Sequence, residues 1–256
     1  MKLSKNEVIG LDRGHGVKHD GGAYGIVREE QVIDEVCDIF SRIAKSNGYQ
    51  IVELRPSSAT STNNALSQRT QKANSVGVDF YLSIHGNAYN GSAHGTEVYV
   101  YKSGGKAETL AKQVCDGICE KVGTYNRGVK VNSNLYVLKN TTMVAMLVEL
   151  LFIDSQKDVS LYNPSLLAEA LASALLDIPD KPEEVPQKPE EGFNGVVTGV
   201  SSYLNVRDNP NGEIIGKLQP NQSVKILEEK IFYRVSYIEE GKEKQGFVSG
   251  NYIRQL

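Results

Sequence analysis

The sequence predicts an α/β protein: a mostly parallel sheet with helices on both faces, followed by a small all-β barrel. Three observations carry this. Through residue 176, short β-rich runs alternate with longer segments of helical periodicity, the order that lays strands side by side beneath crossover helices. A proline-rich acidic stretch then interrupts the pattern. Beyond it only short β-rich runs remain, broken by turn signals. The expected organisation is a first domain over 1–176, a linker over 177–192 and a second domain over 193–256.

The elements follow in order. Val8–Leu11 reads as a short apolar strand. Glu29–Ser46 carries Val32, Ile33, Val36, Ile39, Phe40 and Ile43 at helical spacing, with Gly48 as the stop. Gln50–Leu54 is a strand, Asn64–Ser75 a helix, Val78–Ile84 a strand and Glu97–Tyr101 another. Gly105–Lys121 is a helix, Leu135–Leu138 and Val144–Glu149 are strands, and Ser165–Leu176 is a closing helix. The stretch DIPDKPEEVPQKPEEG holds Pro179, Pro182, Pro186 and Pro189, half of the eight prolines in the chain, with six acidic residues against two lysines. Such a segment cannot bury enough apolar surface to fold and is expected to be extended. In the second domain, VVTGV, LNVRD, SVKILEE and YRVSYIE are strand-like, separated by Asn209-Pro210-Asn211-Gly212, Pro220-Asn221 and Glu240-Gly241.

Bulk properties exclude several function classes. The 256 residues carry a formal net charge of −3, so no basic field draws the chain onto nucleic acid. No apolar run approaches the ~18 residues of a membrane span. The start, MKLSKNEVIGLDRG, lacks a charged leader with an apolar stretch and cleavage site, so no secretory signal is expected. Synthesis in a host cytoplasm fits this, as does a leader missing from the sequence. Cys37, Cys115 and Cys119 are too few and odd in number for a disulfide framework. Cys115 and Cys119 read as free thiols on a helix face.

Four residues stand out. His15 follows the first strand in DRGHG, and His85 ends another in LSIHGNA, both at the carboxyl edge of a parallel sheet, where catalytic groups gather. Glu29 opens the first long helix; a dipole-stabilised N-terminal carboxylate is the plain reading of it. Two histidines and a carboxylate at one edge are, however, the three protein ligands of a catalytic zinc site with its fourth position open. Glu149 is the only non-apolar residue in MVAMLVELLF. An ionised carboxylate in a strand covered on both faces costs several kcal/mol unless paired. It is therefore either the partner of an arginine or a general acid/base beside a metal.

These pieces resemble the zinc-dependent N-acetylmuramoyl-L-alanine amidases of the amidase 3 type. The matching motifs are LDRGHG, DGGAYGIVREE, LSIHGNA and LVELLFID, with Arg69 and Asn74 in ALSQRTQKAN, Gly95–Tyr99 in HGTEVYV, and Asn126–Val129 with Leu135–Leu138 in NRGVKVNSNLYVL. Together they span roughly residues 6 to 176. Arg13 departs from the family pattern, which has a proline or small residue there, and Glu30 competes with Glu29 as the ligand. The resemblance implies that His15, Glu29 and His85 hold Zn2+, and that Glu149 takes a proton from water and returns it to the leaving amine. It implies bacterial peptidoglycan as substrate and partner. A zinc peptidase of the stem peptide and a non-catalytic wall-targeting protein are the alternatives.

Residues 196–256 resemble bacterial SH3-like wall-binding modules, through Tyr203–Asp208, Ile215–Leu218, Ser223–Leu227, Tyr233–Val235 and Gly246–Val248. Phe232 and Phe247 stand where such modules commonly carry tryptophan. A short catalytic domain, one such module and no signal peptide together resemble a bacteriophage endolysin, with a leaderless bacterial autolysin as the alternative. His19 and His94 read as surface loop residues. Arg55 and Arg69 read as ion-paired at the sheet edge, with an anionic peptide stem as a second possible partner. No dinucleotide fingerprint is present, because the third required glycine falls on His19.

Overall fold

The structure, a computed structural model, describes residues 1–178, 193–207, 213–228, 232–239, 242–249 and 253–255. The chain divides into two compact units, Met1–Val185 and Pro186–Leu256. Most of the expected linker, the turns at 209–212 and 240–241, and the side chains of Phe232 and Phe247 lie outside the described residues.

In chain order the first unit contains β1 (Ile9–Arg13), α1 (Glu29–Ser46), β2 (Ile51–Glu53), α2 (Thr62–Val76), β3 (Phe80–Asn87), β4 (Thr96–Val100), α3 (Gly105–Val122), β5 (Asn126–Val131), α4 (Tyr136–Lys139), β6 (Val144–Phe152), α5 (Gln156–Val159) and α6 (Pro164–Leu175). The sheet order is β2-β1-β3-β6-β4-β5. The first four strands are parallel, and β4 runs antiparallel to β6 while pairing parallel with β5. The reversal has a simple cause. Residues 88–95, which join β3 to β4, contain no helix, and a parallel return needs a crossover of about a dozen residues or more.

Strand periodicity divides the core into two layers. Phe80, Leu82 and Ile84 of β3 and Met146, Val148 and Leu150 of β6 are buried in one cluster with apolar residues of α1, α3 and α6. Tyr81 of β3 and Ala145 and Leu147 of β6 point the other way, against Ala73 of α2 and Val137 and Leu138 of α4. Helices therefore cover both faces. Each fully buried large aliphatic or aromatic side chain contributes roughly 1.5–3 kcal/mol, so the α1/α3/α6 layer, with many more such residues, supplies most of the apolar stabilisation.

Helix ends follow local chemistry. Ser61 accepts from the Asn64 amide at the start of α2, and Gly77 ends that helix in the left-handed region. Asn163 caps α6, whose first residue is Pro164.

Two sequence expectations need correction. Leu135–Leu138 is not a strand; Tyr136–Lys139 forms a single helical turn, closed by the Lys139 amide donating to the Leu135 carbonyl at 2.9 Å. A four-residue apolar run carries no periodicity to separate strand from helix. Conversely, NRGVKV forms β5, an edge strand of charged and half-buried residues that pairs with β4.

The second unit is all antiparallel: β7 (Phe193–Val197), β8 (Leu204–Arg207), β9 (Ile214–Leu218), β10 (Ser223–Glu228), β11 (Phe232–Glu239), β12 (Lys242–Ser249) and β13 (Ile253–Gln255) pair in the order β13-β7-β10-β11-β12-β8-β9. Val197, Leu204, Val206, Leu218, Val224, Val235, Tyr237 and Val248 form its own small core. Pro220-Asn221 lies in the turn between β9 and β10, with Asn221 at φ 62°.

Candidate active site

The carboxyl ends of β1 and β3 deliver His15 and His85 to the same place, and the loop 16–28 brings the start of α1 beneath them. His15 Nε2 lies 3.4 Å, and His85 Nδ1 3.2 Å, from the same oxygen, Glu29 Oε1. One ligand atom from each of the three residues can be chosen so that all lie within 4.8 Å of one another, the one such group of three or more among the described residues. The two imidazole rings meet edge to face with centroids 4.9 Å apart. A carbon on Gly14 would sit 2.4 Å from the His85 ring, so a residue without a side chain is required beside it.

Glu29 is buried, and its carboxylate folds back over its own helix start. Oε2 accepts from the Ala23 amide at 2.7 Å and Oε1 from the Gly86 amide at 3.1 Å. Burial alone would raise its pKa, but the hydrogen bonds from His15 and His85 hold it well below the ordinary carboxylate range. For His15, burial works against the charged form, yet the hydrogen bonds to Asp20 and Glu29 prevail and push it up to about 10. Glu30 points elsewhere, pairing with Arg28 at 2.8 Å.

Glu149 stands in register with His85 across the parallel β3–β6 pair, and with Glu97 across the antiparallel β6–β4 pair. Strand alternation from Leu147 puts its side chain on the α2/α4 face. The residue as a whole is half-buried, but Oε2 is buried and has no hydrogen-bond partner among the described residues. Burial pushes its pKa up to about 7.

A family model described as N-acetylmuramoyl-L-alanine amidase matches residues 9–177. The chain belongs to that amidase family. Among its relatives, the amidase CwlM of Bacillus licheniformis is 32% identical over 164 residues, 64% of each chain. The endolysin of Bacillus phage SPP1 is 29% identical over 217 residues, spanning 81% of this chain and 79% of the endolysin. Among solved structures, the amidase AmiC2 of Nostoc punctiforme superimposes with a TM-score of 0.58 at 28% identity, covering 67% of this chain and 96% of AmiC2. The family is one of peptidoglycan hydrolases, and this chain is a member in fold and sequence.

Several groups in this amidase-family chain escaped sequence reasoning. Glu97 is buried and gathers four donors: Arg127 Nε at 2.6 Å, Lys130 Nζ at 2.5 Å, Tyr99 Oη at 2.7 Å and Asn87 Nδ2 at 3.0 Å. The signal was available, since an acid in the strand TEVYV is the same anomaly that marked Glu149. Asp12 and Asp20, both buried, carried no periodic signal. Arg69 pairs with both, and Arg55 with Asp34 at 2.7 Å, so both arginines make internal ion pairs. Arg13, the departure from the family motif, is tied to Glu53 at 3.0 Å and Asp38 at 2.6 Å. His19 and His94 are outside the cluster; His94 lies 3.0 Å from Lys157 Nζ and packs on Tyr125. The three cysteines are free, with Cys37 and Cys115 buried and Cys119 half-buried.

Proposed function

We propose that the chain is a zinc-dependent N-acetylmuramoyl-L-alanine amidase that cuts the amide between muramic acid and L-alanine, and that it acts as an endolysin. The observation that carries this is the convergence of His15, Glu29 and His85, with Glu149, whose Oε2 is buried and unpartnered among the described residues, in register with His85 on the next strand. Two imidazoles and a carboxylate suit zinc at a catalytic site, where three protein ligands leave one position open. When bound, zinc polarises the scissile carbonyl and activates the attacking water.

The chain's own residues do the rest. Glu149 Oε2 receives the proton of the attacking water and returns it to the amide nitrogen as the bond to L-alanine breaks. In the metal-free site burial pushes its pKa up to about 7, away from the ordinary carboxylate range and toward a group that can both take and return a proton. Its Oε2 is buried, and register with His85 puts Glu149 on the strand next to one of the proposed metal ligands. Replacing Glu149 with Ala should slow wall clearing by at least ~100-fold; an unchanged rate removes it from the reaction.

The antiparallel order of the second unit supports an SH3-like wall-binding module that keeps the hydrolase near an insoluble polymer. Similarity to the phage endolysin across most of both chains supports the endolysin reading over that of a bacterial autolysin. Among the described residues no helix is long and apolar enough to cross a membrane. The deciding experiment is mass spectrometry of purified walls after digestion. Intact stem peptides with new L-alanine amino termini, no new reducing sugars, and loss of activity on chelation are expected. Stem peptides cut internally while still attached to glycan would overturn the reading in favour of a peptidase.

A further inference from the structure

The turn after β1 is held by two arginines: the part-buried Arg55 donates to the carbonyls of Arg13 at 3.2 Å and Gly14 at 3.0 Å, and the fully buried Arg69 reaches further. Arg69, on α2 and 1% exposed, pairs with Asp12 Oδ1 at 2.6 Å and with Asp20 Oδ2 at 3.1 Å. The same guanidinium donates to the carbonyl of His15 at 2.7 Å and to that of Arg13. These bonds fix a backbone that an L-residue seldom adopts, since His15 lies at φ 55°. The loop returns on itself where the Asp20 amide donates to the Val17 carbonyl at 2.9 Å, which puts Asp20 Oδ1 3.0 Å from His15 Nδ1. Asp12 is satisfied on its other oxygen by the hydroxyls of Tyr81 at 2.7 Å and Ser83 at 2.8 Å. The Asp20 oxygen facing the imidazole has no comparable second donor among the described contacts.

We propose that Asp20, anchored by Arg69, is a positioning residue that sets the tautomer of His15, keeping the proton on Nδ1 and presenting Nε2 to the cation. The inference rests on the zinc reading above. An imidazole whose far nitrogen donates to a carboxylate is fixed in ring orientation and is a more basic ligand at the near one. The arrangement is asymmetric. His15 faces Glu29 Oε1 with Nε2, whereas His85 faces the same oxygen with Nδ1. The two histidines therefore ligate through opposite nitrogens, and Asp20 is what dictates the choice at His15.

Two measurements on the full chain test this. In the zinc-loaded, nitrogen-15-labelled protein, long-range proton–nitrogen correlation of its four histidines should show His15 protonated at Nδ1 and ligating through Nε2, with the reverse at His85. Competition with a chromophoric chelator should show Asp20→Ala binding zinc 10–100-fold more weakly than wild type. Asp20→Asn, whose amide oxygen still accepts from Nδ1–H, should fall between the two. At saturating zinc, Asp20→Ala should lower kcat while leaving KM unchanged, with a circular dichroism spectrum matching wild type. A folded Asp20→Ala chain that binds zinc as tightly as wild type overturns the inference, as does a His15 that ligates through Nδ1. If Asp20→Ala fails to fold, the tautomer measurement decides alone. A wild-type chain that takes up no zinc defeats the zinc reading itself, and this inference with it, which is a different result from tight binding by the variant.

Discussion

Glu149 shares a strand with Val148 and Leu150, both fully buried, and its Oε2 finds no partner among the described residues. Burial raises its pKa from an ordinary 4.5 to about 7, so folding disfavours its ionised form. The sign follows: below the unfolded value the acid costs nothing, the cost grows as pH rises from there, and it is complete above the folded value. At about 1.4 kcal/mol per unit, this amounts to roughly 3 kcal/mol. Chelator-treated Glu149→Gln should therefore melt above wild type at about pH 8, with the difference vanishing near pH 4; equal melting temperatures at the higher pH would mean that the carboxylate is hydrated. His15 gives a second pH dependence. Held charged by Asp20 and Glu29, it must lose a proton before Nε2 can ligate, so zinc affinity should keep tightening as pH rises from about 7 toward about 10. A competition titration that finds no change over this range would argue against a protonated His15. At this scale the sequence exposed Glu149 because a lone acid contradicts its apolar neighbours. It hid Asp20, whose role depends on a loop closing back onto His15.

At the scale of elements, the end of β6 is held by α5. Asp158, fully buried, accepts from the Phe152 amide at 2.8 Å and from the Gly95 amide, just before β4, at 2.7 Å. Asp158→Ala would leave two amides without an acceptor, at about 1–3 kcal/mol each. Urea unfolding should show a loss of roughly 2–5 kcal/mol, with Asp158→Asn losing less; a smaller change for Ala than for Asn would show that water takes over the acceptor's place. This clamp matters for the site because β6 and β4 carry Glu149 and Glu97 in register. Long amphipathic elements were legible in sequence: Glu29–Ser46 reads correctly from its buried stripe, and a closing helix was expected almost where α6 lies. Short ones were not. Four residues such as Leu135–Leu138 have no period to read, and β5 presents charged side chains that do service for Glu97 rather than for a core.

At the scale of the whole chain, each compact unit has its own apolar cluster. A chain ending at residue 178 should therefore remain folded and hydrolyse a soluble muramoyl-peptide at the full rate, while its action on intact walls falls by about 100-fold or more for want of tethering. Equal rates on walls with and without the second unit would deny it a targeting role.

Alternating strand and helix patterns, a proline-rich acidic break and a few histidine and glutamate motifs were enough to indicate the α/β class, the resemblance to the amidase family, and His15, Glu29 and His85, which the fold brings together. These are local signals, written in periodicity and in single residues that contradict their neighbours. Only the tertiary structure decided that β4 runs against β6, that Glu29 rather than Glu30 turns toward the histidines, and that Arg69 gathers Asp12 and Asp20 under His15. Each of these depends on groups far apart in sequence meeting in a buried space, where an unpaired charge is costly and a carboxylate must find its donors wherever the chain brings them.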